Sequence, residues 1–172
     1  MDKIDTIFIG KNVKSLREAI ALSQHDFSLL LEISKRSVAN IESGEKNIDV
    51  ELLRKVKSLF FMYSRDQLCN DIIEIPYNLR EQLIKHFKDI KPELVILLNK
   101  MPSIVYAIKF KLLRSGFIDQ YRETNEIKKF FERFGWEFEG TSITNALTRM
   151  PDLIESKKHV SKGNTNVYKK RL

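Results

Sequence analysis

Along the first 68 residues apolar side chains recur every three or four positions, the spacing that lines one side of a helix. In "GKNVKSLREAIA" they are Val13, Leu16 and Ile20, which predicts a first helix over residues 10–21. Ser23 ahead of "QHDFSLLLE" and Asp49 ahead of "VELLRKVKSLF" are N-cap residues, whose side-chain oxygens accept from the free N–H groups of a first turn. Asp26 adds a negative charge at the positive end of the second helix. Ser34 is the expected N-cap of a third helix, closed by Gly44, which tolerates positive φ. In the fourth helix Leu52, Leu53, Val56 and Leu59 fall on one side.

The pattern changes over residues 69–102. Asn78 is placed to cap "LREQLIKHF", with a stripe of Leu79, Leu83, Ile84 and Phe87, and Pro92 opens "ELVILLN", apolar on nearly every side. Packed core and dimer seam both fit so apolar a helix. Beyond it "SIVYAIKFKLLRSG" and "TNEIKKFFERFG" read as helices with aromatic and aliphatic spines, and Phe130, Phe131, Phe134 and Trp136 read as core. With Thr141 as N-cap, "TSITNALTRM" turns Ile143, Ala146, Leu147 and Met150 inward and Thr144, Asn145, Thr148 and Arg149 outward. Residues 154–159 and 167–171 flank the turn-rich "SKGNTN" and predict a β-hairpin. From Lys157 onward there are basic side chains and no acidic one.

Wound at about 100° per residue, the helix after Ser34 places Ser37, Val38 and Ile41 on one side. Lys35, Arg36, Ala39, Asn40 and Ser43 fall on the other. That outer face is basic at its start, small in the middle, and carries an amide further along. Arg and Lys are suited to guanine O6 and N7, Asn to adenine, and a small residue allows close approach in a major groove.

A short helix, three linking residues (Glu32, Ile33, Ser34), a polar-faced helix and a glycine form a helix-turn-helix layout. Residues 10–68 resemble the Cro/cI-type helix-turn-helix family, also called XRE, and "SLREAIALSQHDFSLLLEISKRSVANIESGEKN" carries the resemblance. It implies that Arg17 and Glu42 pair across the fold and that Gln24 meets the DNA backbone. It also implies that Lys35, Arg36 and Asn40 read bases and that Lys46 and Asn47 touch phosphate. Two positions depart from the family: glycine is usual at Glu32 and alanine at Ser28. A glutamate held in the left-handed conformation costs about 1 kcal/mol. Leu29 and Leu30, where polar residues are common, mark a face for a partner or for the rest of the chain.

Helix, helix, polar-faced helix and basic hairpin resemble a winged helix. The resemblance implies that Thr144, Asn145, Thr148 and Arg149 face a groove and that Lys158, Lys162, Asn164 and Lys169 meet phosphate from the wing. A solvated basic terminus is the plainer reading of the same tail. The expected fold is mainly α. A five-helix Cro/cI-like domain spans 1–68, a helical connector or dimerisation segment spans 69–102, and a winged-helix-like domain with a small hairpin spans 103–172.

Charge and composition narrow the function. The net charge is +7 with 42% hydrophobic residues, a folded protein that favours an anionic partner. One cysteine, Cys69, allows no internal disulfide, and no apolar run approaches the roughly 20 residues of a membrane span. His25, His86, His159 and Cys69 are too scattered for the close spacings of zinc sites, and no phosphate-cradling glycine motif is present. The expectation is a cytoplasmic, non-enzymatic, cofactor-free and metal-free regulator that binds double-stranded DNA as a homodimer. An antitoxin or adaptor built around a protein partner is the alternative.

Overall fold

Helix α1 (Lys3–Ala19) begins well before Gly10, because Thr6 and Ile9 are buried and Ile9 prolongs the stripe of Val13, Leu16 and Ile20. This computed structural model describes residues 3–45, 48–163 and 165–171, mainly helical with one small antiparallel sheet. Lys46, Asn47 and Asn164, expected to meet phosphate, lie outside the described residues.

After α1 come α2 (Gln24–Leu31), α3 (Lys35–Glu42), α4 (Val50–Leu59) and α5 (Arg65–Cys69). Phe27, Leu31, Val38, Ile41, Val56 and Phe60 fill the space between them, with Phe27 and Phe60 rings 6.2 Å apart. Buried Asn12 on α1 donates to the carbonyls of Leu68 at 2.9 Å and Asn70 at 2.7 Å, tying α1 to the end of α5.

The chain divides into two compact units, Met1–Lys100 and Met101–Leu172, where three segments were expected. Residues 69–100, most of the segment read as a helical connector or dimerisation segment, fall in the first unit. Tyr63 Oη donates to the Glu74 carbonyl at 2.8 Å, and the Phe61 ring stacks on His86 at 3.9 Å. In α6 (Leu79–Phe87) the buried Arg80 donates through Nε to the Leu98 carbonyl at 2.7 Å and through Nη2 to that of Lys100 at 2.7 Å. Its positive charge therefore caps the negative C-terminal end of α7 (Pro92–Asn99). Asn78 does not cap α6 with its side chain; its Oδ1 accepts from Gln82 Nε2 at 2.8 Å.

In the second unit α8 (Ile104–Tyr106) runs into a π-helical stretch, Ala107–Leu112. Gly116, at φ 73°, turns the chain toward the short strand β1 (Arg122–Glu123). Then follow α9 (Thr124–Glu132), α10 (Gly140–Thr148), β2 (Ile154–Lys158) and β3 (Asn166–Lys170). The expected hairpin is present, and β1 adds a third strand that the pattern did not announce, in the order β1-β3-β2. All pairs are antiparallel, with Glu123 opposite Val167 and Ser156 opposite Tyr168. Ile108, Leu112, Ile127, Phe131, Ile143, Leu147 and Tyr168 form the core. Phe130 is in it as expected, whereas Phe134 is exposed and stacks on half-buried Trp136 at 4.9 Å.

Candidate nucleic-acid interface

Local chemistry sets the turn between α2 and α3. Ser23 Oγ accepts from Asp26 N at 3.0 Å at the head of α2, and Ser34 Oγ accepts from Ser37 N at 3.0 Å at the head of α3. Between them Glu32 adopts the left-handed conformation, φ 55° and ψ 46°, without the glycine usual there. Lys55 on α4 steadies it. Its Nζ donates to the Leu31 carbonyl at 3.1 Å and to Glu32 Oε2 at 3.0 Å. The hydrogen bond from Lys55, reinforced by its charge, holds the Glu32 carboxyl below its usual range.

Val38 and Ile41 anchor the inner side of α3, and Ser37 is half-buried beside Ser34. On the outer side Lys35, Arg36 and Ser43 are exposed, with Ala39 and Asn40 half-exposed. Among the described residues, the side chains of Lys35, Arg36 and Asn40 have no hydrogen-bond or ion-pair partner. Ser43 ends the helix, and its Oγ donates to the Asn40 carbonyl at 3.1 Å.

The pose of α3 against α1 is fixed in two ways. Arg17 and Glu42 form a two-pronged ion pair: Nε donates to Oε1 at 2.5 Å and Nη2 to Oε2 at 2.9 Å. Arg17 Nη1 also donates to the Leu22 carbonyl at 2.8 Å, so a single guanidinium ties α1, the loop before α2, and α3. Gln24, implied to meet the DNA backbone, donates Nε2 to Glu42 Oε2 at 3.0 Å and belongs to the same cluster. The second device was not foreseen. A Cβ on Gly10 would lie 2.1 Å from the Ile41 carbonyl oxygen, so α1 and α3 touch backbone to backbone at this point.

The second unit holds its expected residues less uniformly. Glu139, with extended backbone, precedes α10 and Thr141 lies inside the helix, so Thr141 is not its cap. Ile143, Ala146 and Leu147 point inward and Met150 is half-buried. On the outer side Thr144 shares a hydrogen bond with Thr124 at 3.2 Å, and Thr148 Oγ1 donates back to the Thr144 carbonyl at 2.9 Å. Asn145 and Arg149 are exposed, with no such engagement of their side chains among the described residues.

The hairpin lysines do not share one surface. Successive strand residues point to opposite faces, and the register sets Lys158 on the side of Ile154 and Tyr168, and Lys169 on the other side opposite Glu155. There Lys157 Nζ lies 3.6 Å and Lys169 Nζ 5.9 Å from the centre of the Tyr121 ring. Lys162 is tied back to Glu123 Oε1 at 2.6 Å, with His159 Nε2 3.4 Å from the same oxygen. The Lys162 hydrogen bond holds the Glu123 carboxyl below its usual range. Among the described residues no cluster of His, Cys, Asp and Glu is arranged to hold a metal, and no helix is long and apolar enough to cross a membrane.

A helix-turn-helix family matches residues 13–66, from the middle of α1 into α5, and this region is a helix-turn-helix domain of the Cro/cI type. The chain is also similar to antitoxin PezA of Streptococcus pneumoniae serotype 4, at 28% identity over 82 residues. The aligned part is 45% of this chain and 52% of that protein, so the chain spans about half the length of this curated relative. No solved structure matches.

Proposed function

We propose, for a chain whose residues 13–66 form a helix-turn-helix domain of the Cro/cI type, that it is a sequence-specific regulator of transcription. It acts by binding double-stranded DNA, without catalysis, in the cytoplasm. The observation that carries this reading is the outer face of α3, where Lys35, Arg36 and Asn40 stand with unused polar atoms on a helix braced by Arg17 and Glu42. Arg36 and Lys35 suit guanine and Asn40 suits adenine in the major groove. The chain binds as a homodimer at an inverted repeat with half-sites about 34 Å apart. The second unit, with its helix–strand–helix–helix–hairpin order, acts as a winged helix, with Asn145 and Arg149 on its outward helix and Lys158 on its wing.

The test is selection of bound duplexes from a random library, by wild type and by Asn40→Ala. We expect an enriched inverted repeat with wild type, and with Asn40→Ala a binding loss of about 1–3 kcal/mol together with relaxed preference at one position of each half-site. Unchanged preference in the variant sinks the assignment of this face, and no enrichment by wild type sinks the reading. Strictly monomeric sedimentation, alone and on the selected DNA, refutes the dimer.

A second reading rests on the similarity to a protein named an antitoxin and on Leu29, 59% exposed on α2. In it the protein's main task is to hold a protein partner. Stoichiometric co-purification of a neighbouring gene's product, abolished by Leu29→Glu, supports it.

A further inference from the structure

The charges are unevenly distributed. Through Lys100 the chain has 16 Lys and Arg against 15 Asp and Glu, whereas from Met101 it has 14 against 8. The unit that contains the helix-turn-helix is thus nearly neutral, and most of the net +7 belongs to the other. Affinity for a duplex comes largely from cations that displace counterions at phosphates. Lys35 and Arg36 place a local positive spot on α3, but their unit as a whole offers a polyanion little attraction.

Within the second unit the charge is directional. Glu137 and Glu139 are exposed immediately before the first turn of α10. Toward its other end Asn145 and Arg149 line a groove with Ile104 and Val105 of α8, which packs beside it, and with Lys109 from the π-helical stretch that continues α8. Lys109 and Arg149 are both exposed, and neither has an ion-pair partner among the described residues. The wing contributes less to such a surface than its composition promised, because Lys162 is bound to Glu123 and Lys169 lies against Tyr121 on the outer face. A phosphate backbone is repelled from the N-terminal end of α10 and drawn toward its C-terminal half.

We propose that duplex DNA meets the second unit along this groove between α8 and α10, with Lys109, just beyond α8, and Arg149 each neutralising a phosphate. The contact supplies sequence-independent affinity that the nearly neutral first unit lacks. It makes Lys109, absent from every motif in the sequence, a DNA-binding residue. The inference rests on the reading of the chain as a double-stranded DNA-binding protein.

The test uses the full chain and two fluorescent duplexes, one carrying the selected repeat and one scrambled, titrated at several salt concentrations. Lys109→Gln/Arg149→Gln is compared with Lys129→Gln/Arg133→Gln, which removes equal charge from exposed positions on and just after α9. Thermal melting checks that both remain folded. With two phosphates no longer neutralised, the slope of log affinity against log salt falls by about 1.8 on both duplexes. Between about 50 and 200 mM salt the wild type then loses roughly tenfold more affinity than the groove variant. The control leaves the slope unchanged.

An unaltered slope in the groove variant overturns the proposal, as does an equal fall in both variants, which would mark a diffuse charge effect with no site. In either case specific binding by the wild type leaves the regulator reading intact. A wild type that binds neither duplex overturns both.

Discussion

Glycine in the middle of a helix costs about 1 kcal/mol relative to alanine, so Gly10→Ala in α1 should stabilise the protein if nothing else changes. The structure predicts the opposite sign. The added methyl would sit 2.1 Å from the Ile41 carbonyl oxygen and 3.2 Å from its carbon, and the obstacle is backbone on a helix, which no rotamer change removes. Carbon and oxygen need a separation above about 3 Å, so α1 and α3 must part by roughly an ångström. Such overpacking costs typically 1–3 kcal/mol, occasionally more. A backbone-to-backbone clash belongs at the upper end, and the gain in helix propensity is too small to reverse it. Urea unfolding of Gly10→Ala should therefore show a net loss of about 1–3 kcal/mol. Specific DNA binding should weaken beyond what the unfolded fraction explains, because the shift displaces α3. A variant more stable than wild type would refute the close approach and the reasoning with it.

The Arg17–Glu42 pair makes a prediction of a different kind. Arg17→Met leaves the Glu42 carboxylate, with its side chain 3% exposed, to the single donor from Gln24, and should cost about 3–5 kcal/mol in urea unfolding. Arg17→Met/Glu42→Met should recover most of that, and a double variant no more stable than the single one contradicts it. The Glu123–Lys162 bond gives a pH signature. Because the folded state lowers the Glu123 pKa, its contribution is full above the ordinary carboxylate range and disappears as pH falls through the folded value. The melting-temperature difference between wild type and Lys162→Gln should be constant from about pH 6 to 8 and shrink below about pH 4. A difference that grows on acidification would mean that another group dominates.

Interactions closed within a few residues could be seen in the sequence. Ser23, Ser34 and Asp49 cap as expected because each bond reaches only to the third residue onward. The same rule failed at Asn78, whose oxygen bonds Gln82, and at Thr141, which Glu139 precedes as the first non-helical residue. Neither helix has a side-chain cap at its N-terminal residue. The two-residue β1 has no periodicity to read and exists through its pairing with β3, more than forty positions away. Gly10 shows its meaning only when Ile41 lies beside it, and the packing of residues 69–100 on the helices before them depends on Tyr63 reaching Glu74 and Phe61 stacking on His86. The outer face of α3 was legible because a helical wheel is a local property. The grouping of Lys109 with Arg149 was not, since it depends on how two helices pack.

On the reading that Gln24 meets a DNA phosphate, its amide would have two claimants. In the structure it is a donor to Glu42, the residue that holds α3 on α1. If a DNA phosphate takes that amide, Glu42 keeps Arg17 and loses a ligand, so backbone binding at α2 and the brace beneath α3 become coupled equilibria. Coupling of this kind is reciprocal: whatever tightens Glu42 on Gln24 weakens the phosphate contact by the same factor. If α3 reads bases and phosphate displaces Glu42 from the amide, gripping the backbone would loosen that helix.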